Sequence, residues 1–400
     1  MAATDVDLDQ LRAAVARRRD ELVELTRQFV AFATENPPGT ELAACQQWIC
    51  EQLQAFGIEH ETIDSATDGG PERIIVGTVG AGGPTMYLHG HYDVVPAFGP
   101  GDFDAVERDG ALFGRGTCDM KGGLVAMLLA AVIHRERNGG GRLKLVFVPD
   151  EETGGANGAE RLDELGLLDP AAIGAIVAEP SWPDIWYAAR GAFTVEVTVT
   201  GRPAHVGLHH RGDNAFLRAN AIVAELASYA EEVAGHRTEL RIEPEAARRS
   251  IMLIGGTAGG GTNFNIVPDR FTFTIDRRPN PDEDHPRACA DLLARLDALA
   301  DHHPLTYRIL QDVDPALTAP DHRLITTVVD GVEEIGGRHA SPSMCPGCLE
   351  TRVYGRAGIP AVAYGPGPMA VMHAPDEHVP IANLVEACTV YAAVLARYLG

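Results

Sequence analysis

Thr85-Met86-Tyr87-Leu88-His89-Gly90-His91-Tyr92-Asp93 decides the fold. The run Thr85–Leu88 does not alternate apolar with polar residues, as a strand wetted on one face does. It reads as a strand buried on both faces, and it breaks off into histidines and an aspartate. The same design recurs down the chain. Leu143–Val148 runs into Pro149-Asp150-Glu151-Glu152, and Ala175–Ala178 into Glu179-Pro180; Ile74–Val79 is a further apolar run. Between these lie stretches with apolar residues at helical spacing. Leu8–Phe32 and Glu41–Phe56 are separated by the breaker Asn36-Pro37-Pro38-Gly39, and Gly123–His134 and Ala156–Leu165 supply covering helices. Buried strands alternating with helices define an α/β architecture with a mostly parallel central sheet.

Near residue 190 the pattern changes. Phe193, Val195, Val197 and Val199 alternate with Thr194, Glu196, Thr198 and Thr200, and Phe271–Ile275 alternates likewise. Period-two alternation marks strands with one dry and one wet face, the habit of antiparallel sheets. Helical stretches Asn214–Ala234 and Arg287–Ala300 are available to cover the dry face. The expected organisation is an α/β domain in two parts, 1–188 and 309–400, around an inserted α+β domain at 189–308. Continuous apolar character returns at Ala361–Tyr364, and Ile381–Tyr398 closes the chain as a helix.

Composition narrows the partners. Thirty-three Lys and Arg stand against 56 Asp and Glu, a net charge of −23. That field repels phosphate backbones and anionic bilayers, so neither nucleic acid nor membrane is expected as a partner. The longest apolar run, Leu124–Ile133, has ten residues and is too short to span a bilayer. Met1–Leu22 is charged throughout and lacks the apolar core of a signal peptide. Seven cysteines, an odd number thinly spread, do not form a disulfide framework. The expectation is a cytoplasmic protein with reduced thiols.

The residues with chemistry follow the buried strands. Ligands of open α/β sheets bind beyond the carboxyl ends of the strands. Carboxylates converging there repel one another and call for cations, and imidazoles among them suit zinc or a similar divalent ion. Further candidates are Asp119, in Gly114-Arg115-Gly116-Thr117-Cys118-Asp119-Met120-Lys121-Gly122-Gly123, and His373, in His373-Ala374-Pro375-Asp376-Glu377.

These five separated motifs, taken in order, resemble the M20 family of two-zinc metallopeptidases and amidohydrolases. That family includes acetylornithine deacetylase, succinyl-diaminopimelate desuccinylase, aminoacylase-1 and the carboxypeptidase G2 type. The resemblance implies a zinc-exopeptidase-like catalytic domain with an inserted lid and dimerisation domain. It implies His91 and Glu179 as ligands of one metal, Glu152 and His373 as ligands of the other, and Asp119 bridging both. Asp93 would orient His91, and Glu151 would act as general base on a metal-bridging water. The cofactor is two divalent ions per chain, zinc first, with cobalt or manganese as alternatives. Two such ions, roughly 3.5–4 Å apart, lower the pKa of a shared water and polarise a carbonyl.

In the insert, Gly201-Arg202-Pro203-Ala204-His205 resembles the family's Gly-x-x-Ala-His, whose histidine reaches the active site, often that of a partner subunit. Asn265-Ile266-Val267-Pro268 and Asp276-Arg277-Arg278-Pro279-Asn280-Pro281 resemble substrate-binding segments. Arg278 is then the candidate for a substrate carboxylate, with an inter-strand ion pair as the competing reading. A homodimer through the insert is expected.

Other residues have plainer readings. His89 is structural, Asp150 a loop or capping residue, and His209, His210 and Arg211-Gly212-Asp213 belong to the surface. Cys345-Pro346-Gly347-Cys348 is a single CxxC, read as a turn near the active site. Gly255-Gly256 and Gly259-Gly260-Gly261 lead to strand-like residues and form no phosphate cradle. Glu350, where many relatives carry Asp, inclines the substrate toward acetylornithine deacetylase style. The function expected is amide hydrolysis of an N-acyl amino acid or small peptide. The alternatives are a deformylase or aminohydrolase on the same metal site, and a catalytically silent metal-binding protein.

Overall fold

A computed structural model of the chain describes residues 6–67 and 69–400; the first five residues of the charged start lie outside them. The chain divides into two compact units. One comprises Met1–Tyr187, Thr318–Ser343 and Leu349–Gly400, the other Ala188–Leu317 and Met344–Cys348.

The first unit is built on a sheet that runs in the order Glu59–Asp64, Arg73–Val79, Arg142–Val148, Thr85–His91, Gly174–Val177, Ala361–Ala363. Thr85–His91 is parallel to both of its neighbours, and Gly174–Val177 is parallel to Ala361–Ala363. All seven residues of Thr85–His91 are buried, as the continuous apolar pattern requires. Helix Lys121–Glu136 packs against this sheet and against helices Arg19–Val30 and Ile381–Tyr398. It is covered on every side, so it carries no polar stripe. Its first turn needs glycine, because a Cβ on Gly123 would lie 2.7 Å from the Ala178 carbonyl oxygen.

Two expected helices differ. Leu8–Phe32 breaks at Arg18 into Leu8–Arg17 and Arg19–Val30. Of Ala156–Leu165 only Arg161–Glu164 is helical. Gly154 and Gly155, at φ +105° and +76°, turn the chain back after Glu152. Gly158 then packs so tightly on the Asp150 turn that a Cβ would meet Asp150 Oδ1 at 2.4 Å. Backbone packing overrides helical periodicity there.

The second unit has an antiparallel sheet in the order Ile251–Gly260, Arg270–Arg278, Ala192–Thr200, Leu305–Val313. Phe193, Val195, Val197, Val199, Phe273 and Ile275 form its dry face. Helices Ala215–Ala234 and His285–Ala300 cover that face with Ile222, Leu226, Leu292 and Leu296. The boundary expected at 308/309 falls inside Leu305–Val313, and the unit runs on to Leu317. That strand alternates weakly because it lies at the sheet edge. The glycine-rich segment is the opposite edge strand, bulged between Ile254 and Ala258 where Gly255 takes φ +79°. Among the described residues no helix is long and apolar enough to cross a membrane.

Candidate metal centre

Strand register assembles the centre. His91 ends its strand beside Val148, three residues before Glu151, and His89 lies beside Val177, two before Glu179. Parallel pairing thus delivers His91, the Glu151-Glu152 turn and Glu179 to one end of the sheet. Asp119 comes from the loop that opens helix Lys121–Glu136, and His373 from the loop after Met369–Val371. His373 holds φ +57°, a region that favours glycine, so its placement is imposed by its surroundings.

Donor atoms of His91, Asp119 and Glu179 lie within 4.8 Å of one another, and so do those of Asp119, Glu152 and His373. Asp119 belongs to both groups. Its Oδ1 is 3.2 Å from His91 Nε2 and its Oδ2 is 3.1 Å from His373 Nε2. Glu152 Oε1 lies 3.3 Å from His373 Nε2 without hydrogen-bond geometry. Glu152 Oε1 and Glu179 Oε1 are both buried and accept no hydrogen bond. Leaving buried carboxylate oxygens unsatisfied is costly. Two such oxygens aimed at imidazole nitrogens and a shared carboxylate fit two divalent cations. The donor set is nitrogen and oxygen only, which suits zinc, cobalt or manganese.

The electrostatics agree. Burial disfavours charge on His91, but hydrogen bonds to Asp119 and Asp93 outweigh it and raise its pKa well above the usual histidine range. The hydrogen bond to Asp119 and the nearby Glu152 carboxylate push His373 up to about 10. Burial, then repulsion from Glu350, Glu152 and Asp119, pushes Glu151 up to about 8, against the pull of His91. Burial, Asp119 and Glu151 raise Glu179 well above the carboxylate range. Without ions the centre is short of positive charge and holds protons in its place.

Asp93 ties the parts together. Its Oδ1 lies 3.3 Å from His91 Nδ1 and accepts the Glu151 backbone N–H; its Oδ2 accepts the Glu152 N–H and Asn36 Nδ2. His91 Nδ1 hydrogen-bonds the Asp93 backbone carbonyl at 3.0 Å, and the buried Asp93 carboxylate sets the turn that splits Glu151 from Glu152. Glu377 does comparable work and was not singled out from sequence. Its Oε1 accepts backbone N–H groups of Gly116, Cys118 and Asp119, and its Oε2 pairs with buried Arg115. It stands four residues after His373, so it joins the loops of two donors. The only signal was its place in the His373–Glu377 motif.

His89 donates no ligand atom to these groups. It is fully buried, with Nε2 2.6 Å from Glu350 Oε2 and Nδ1 3.0 Å from the Tyr354 hydroxyl. Glu350, expected to bear on substrate choice, is fully buried, with Oε2 on His89 and Oε1 without a hydrogen-bond partner. Asp150 is a loop residue whose Oδ2 accepts the Asn157 N–H.

The remaining candidates belong to the second unit. His205 is exposed, caps Val206–Arg211 and bridges to Ile266. The Asn265 carbonyl accepts the Val206 N–H. Arg278 pairs through Nε with both oxygens of Asp276 on its own strand, and donates from Nη1 to Cys348 Sγ at 3.1 Å. Cys345 and Cys348 are not joined in a disulfide.

A crossing of strand ends that carries two histidines, a shared aspartate and three glutamates, two with unsatisfied oxygens, defines a metal-binding hydrolase site. The chain belongs to the M20/M25/M40 peptidase family, whose model matches residues 87–397, and it is a hydrolytic enzyme. It is 30% identical over 396 residues to the succinyl-diaminopimelate desuccinylase of Xanthomonas euvesicatoria pv. vesicatoria, covering 95% of this chain and 99% of that one. A probable succinyl-diaminopimelate desuccinylase of Staphylococcus aureus is 26% identical over 386 residues, with 90% and 93% covered. An M20 metallo-carboxypeptidase from Sulfolobus solfataricus shares the fold at TM-score 0.79 and 18% identity, with 94% and 99% covered. Human carnosine dipeptidase 1 shares it at TM-score 0.77 and 16% identity, with 98% of both chains covered.

Proposed function

We propose that this enzyme hydrolyses the amide bond of an N-acyl amino acid, with N-succinyl substrates leading and N-acetyl substrates and small peptides behind. The observation that carries the reading is the convergence of buried, unsatisfied Glu152 and Glu179 oxygens on His91, Asp119 and His373, with Glu151 alongside. The desuccinylase relatives support the succinyl arm.

In this reading His91, Asp119 and Glu179 hold one divalent ion and Asp119, Glu152 and His373 the other, with zinc as first choice. When bound, such ions acidify a shared water and polarise the substrate carbonyl. Glu151 takes the proton of the attacking water and returns it to the leaving amine. Asp93 keeps Glu151 and His91 in register throughout.

In the same reading Arg278 and Asn265 bind the substrate. His205 of a partner subunit donates a hydrogen bond to the carbonyl oxygen as negative charge develops there. A homodimer through the insert is supported by its exposed apolar residues, Phe216 and Leu217 on helix Ala215–Ala234 and Ile251 and Leu253 on the edge strand. A cytoplasmic setting is supported by seven free cysteines.

The test is a panel of N-succinyl, N-acetyl and N-formyl amino acids, dipeptides and heterocyclic amines, run with zinc, cobalt and manganese. Succinyl amides are expected to give the highest kcat/KM. Turnover confined to dipeptides, or to formyl or heterocyclic substrates, overturns the substrate assignment. No turnover on any with two ions bound overturns the enzyme mechanism.

A further inference from the structure

The inserted unit holds a second kind of donor cluster. His285 and Cys289 lie four residues apart on helix His285–Ala300, so both side chains fall on one face. Asp312 reaches them from strand Leu305–Val313. His285 Nε2 is 2.8 Å from Asp312 Oδ1 and 3.6 Å from Cys289 Sγ, and one donor atom from each of the three lies within 4.8 Å of the others. His285 and Cys289 are buried, whereas the Asp312 side chain is 57% exposed.

We propose that His285, Cys289 and Asp312 form a further metal site, suited to zinc or another thiophilic divalent ion, with solvent at the open fourth position. The distances fit. Tetrahedral zinc with ordinary bond lengths sets donor separations of about 3.6 Å for N to S and about 3.4 Å for N to O. The nitrogen–sulfur edge is already in place. The His285–Asp312 hydrogen bond has to open by roughly half an ångström, and Asp312 is the exposed member, with room to move. Gly191 leaves space for the ring, since a Cβ there would stand 3.0 Å from His285 Nδ1. Cys289 Sγ is 4.0 Å from Nδ1 and 3.6 Å from Nε2, and Nε2, the nearer nitrogen, is also the one that bonds Asp312.

A His–Asp ion pair alone needs no sulfur at the imidazole nitrogen. Cys289 is also a neutral thiol as it stands, pushed up to about 12 by burial and by nearby Asp312. A cation entering the cluster displaces that thiol proton, which makes binding pH-dependent and the sulfur a spectroscopic reporter.

The experiment uses the full chain, freed of metal by chelation and titrated with Cd²⁺ while thiolate-to-metal absorption is followed in the near ultraviolet. The other centre offers only nitrogen and oxygen donors, and the difference between the parent and Cys289→Ser separates this band from any thiolate elsewhere, such as Cys345 and Cys348. One thiolate-linked ion per chain is expected, with the band lost in Cys289→Ser and His285→Ala and retained in Asp119→Ala. Asp312→Asn, a change on an exposed side chain that leaves the core untouched, should weaken the site about 10-fold or more, as much as losing a group that merely orients a ligand. Absence of the band in the parent chain, its persistence in Cys289→Ser, or unchanged affinity in Asp312→Asn overturns the proposal. Hydrolytic turnover plays no part in the readout, so failure here and failure of the proposed reaction remain distinguishable.

Discussion

Glu377→Gln isolates the residue that joins the Asp119 loop to the His373 loop. The substitution keeps size and keeps one oxygen, which continues to accept the Gly116, Cys118 and Asp119 N–H groups. The other oxygen becomes an amide that donates, and it then faces Arg115, also a donor. Both side chains are about 2% exposed, so water cannot take the place of the lost acceptor. Breaking a buried pair from one side leaves an uncompensated charge, at about 3–5 kcal/mol. Chemical denaturation should show a loss of that size as a lower midpoint with an unchanged slope.

The same change should loosen the centre. Asp119 serves both donor groups and its backbone N–H is one of the three that Glu377 holds. Losing an orienting group lowers metal affinity by about 10–100-fold. Competition with a fluorescent chelator on the folded variant measures this separately from stability. The double variant Arg115→Met, Glu377→Gln removes the stranded charge and should recover most of the stability, because apolar replacement of a buried pair is often neutral. A Glu377→Gln chain with the parent's denaturation midpoint and the parent's metal affinity would refute the reasoning.

Asp119→Ala should lose both catalytic ions, and metal analysis finding two tightly held would remove its bridging role. Glu151→Gln should keep both ions and bind substrate while kcat falls by about 10²-fold or more, whereas Glu152→Gln should weaken one ion; exchanged phenotypes would reverse the two roles. Metal loading at pH 7 should release protons, because His91 and His373 are held protonated without ions and must be neutral to bind them. Affinity should therefore rise with pH toward about 10, and calorimetry in buffers of different ionisation enthalpy that finds no release would contradict this. The raised His373 pKa also stabilises the metal-free chain fully below the unfolded histidine value, and that contribution should fade as pH climbs through about 10. His205→Ala should lower kcat by roughly 10²–10³ with metal content unchanged, and mixing it with Glu151→Gln subunits should restore activity; verified exchange without recovery excludes donation across a dimer.

What the sequence disclosed follows from strand register. His91, Glu151 and Glu179 each stand at the end of a continuous apolar run, and parallel pairing brings such ends together whatever the loops do. Period-two alternation likewise exposed Ala192–Thr200 and Arg270–Arg278, whose dry faces pack on helices. Edge strands were harder, since Ile251–Gly260 is rich in glycine and mostly exposed and therefore carries no periodic signal. Glu377 acts through backbone N–H groups and Arg115, and Asn36 through the Asp93 carboxylate, and such partnerships leave no trace in spacing. Glu350 is illegible for the same reason: its Oε2 bonds His89, 261 residues away, which spacing does not show, while its Oε1 is buried without a hydrogen-bond partner. Residue type and position along a strand locate donors, but only packing decides whether a buried carboxylate faces an ion, a substrate or another side chain. Glu152 and Glu179 are set apart by their neighbours: each has a donor atom grouped with Asp119 and a histidine, whereas Glu350 Oε2 is bonded to His89.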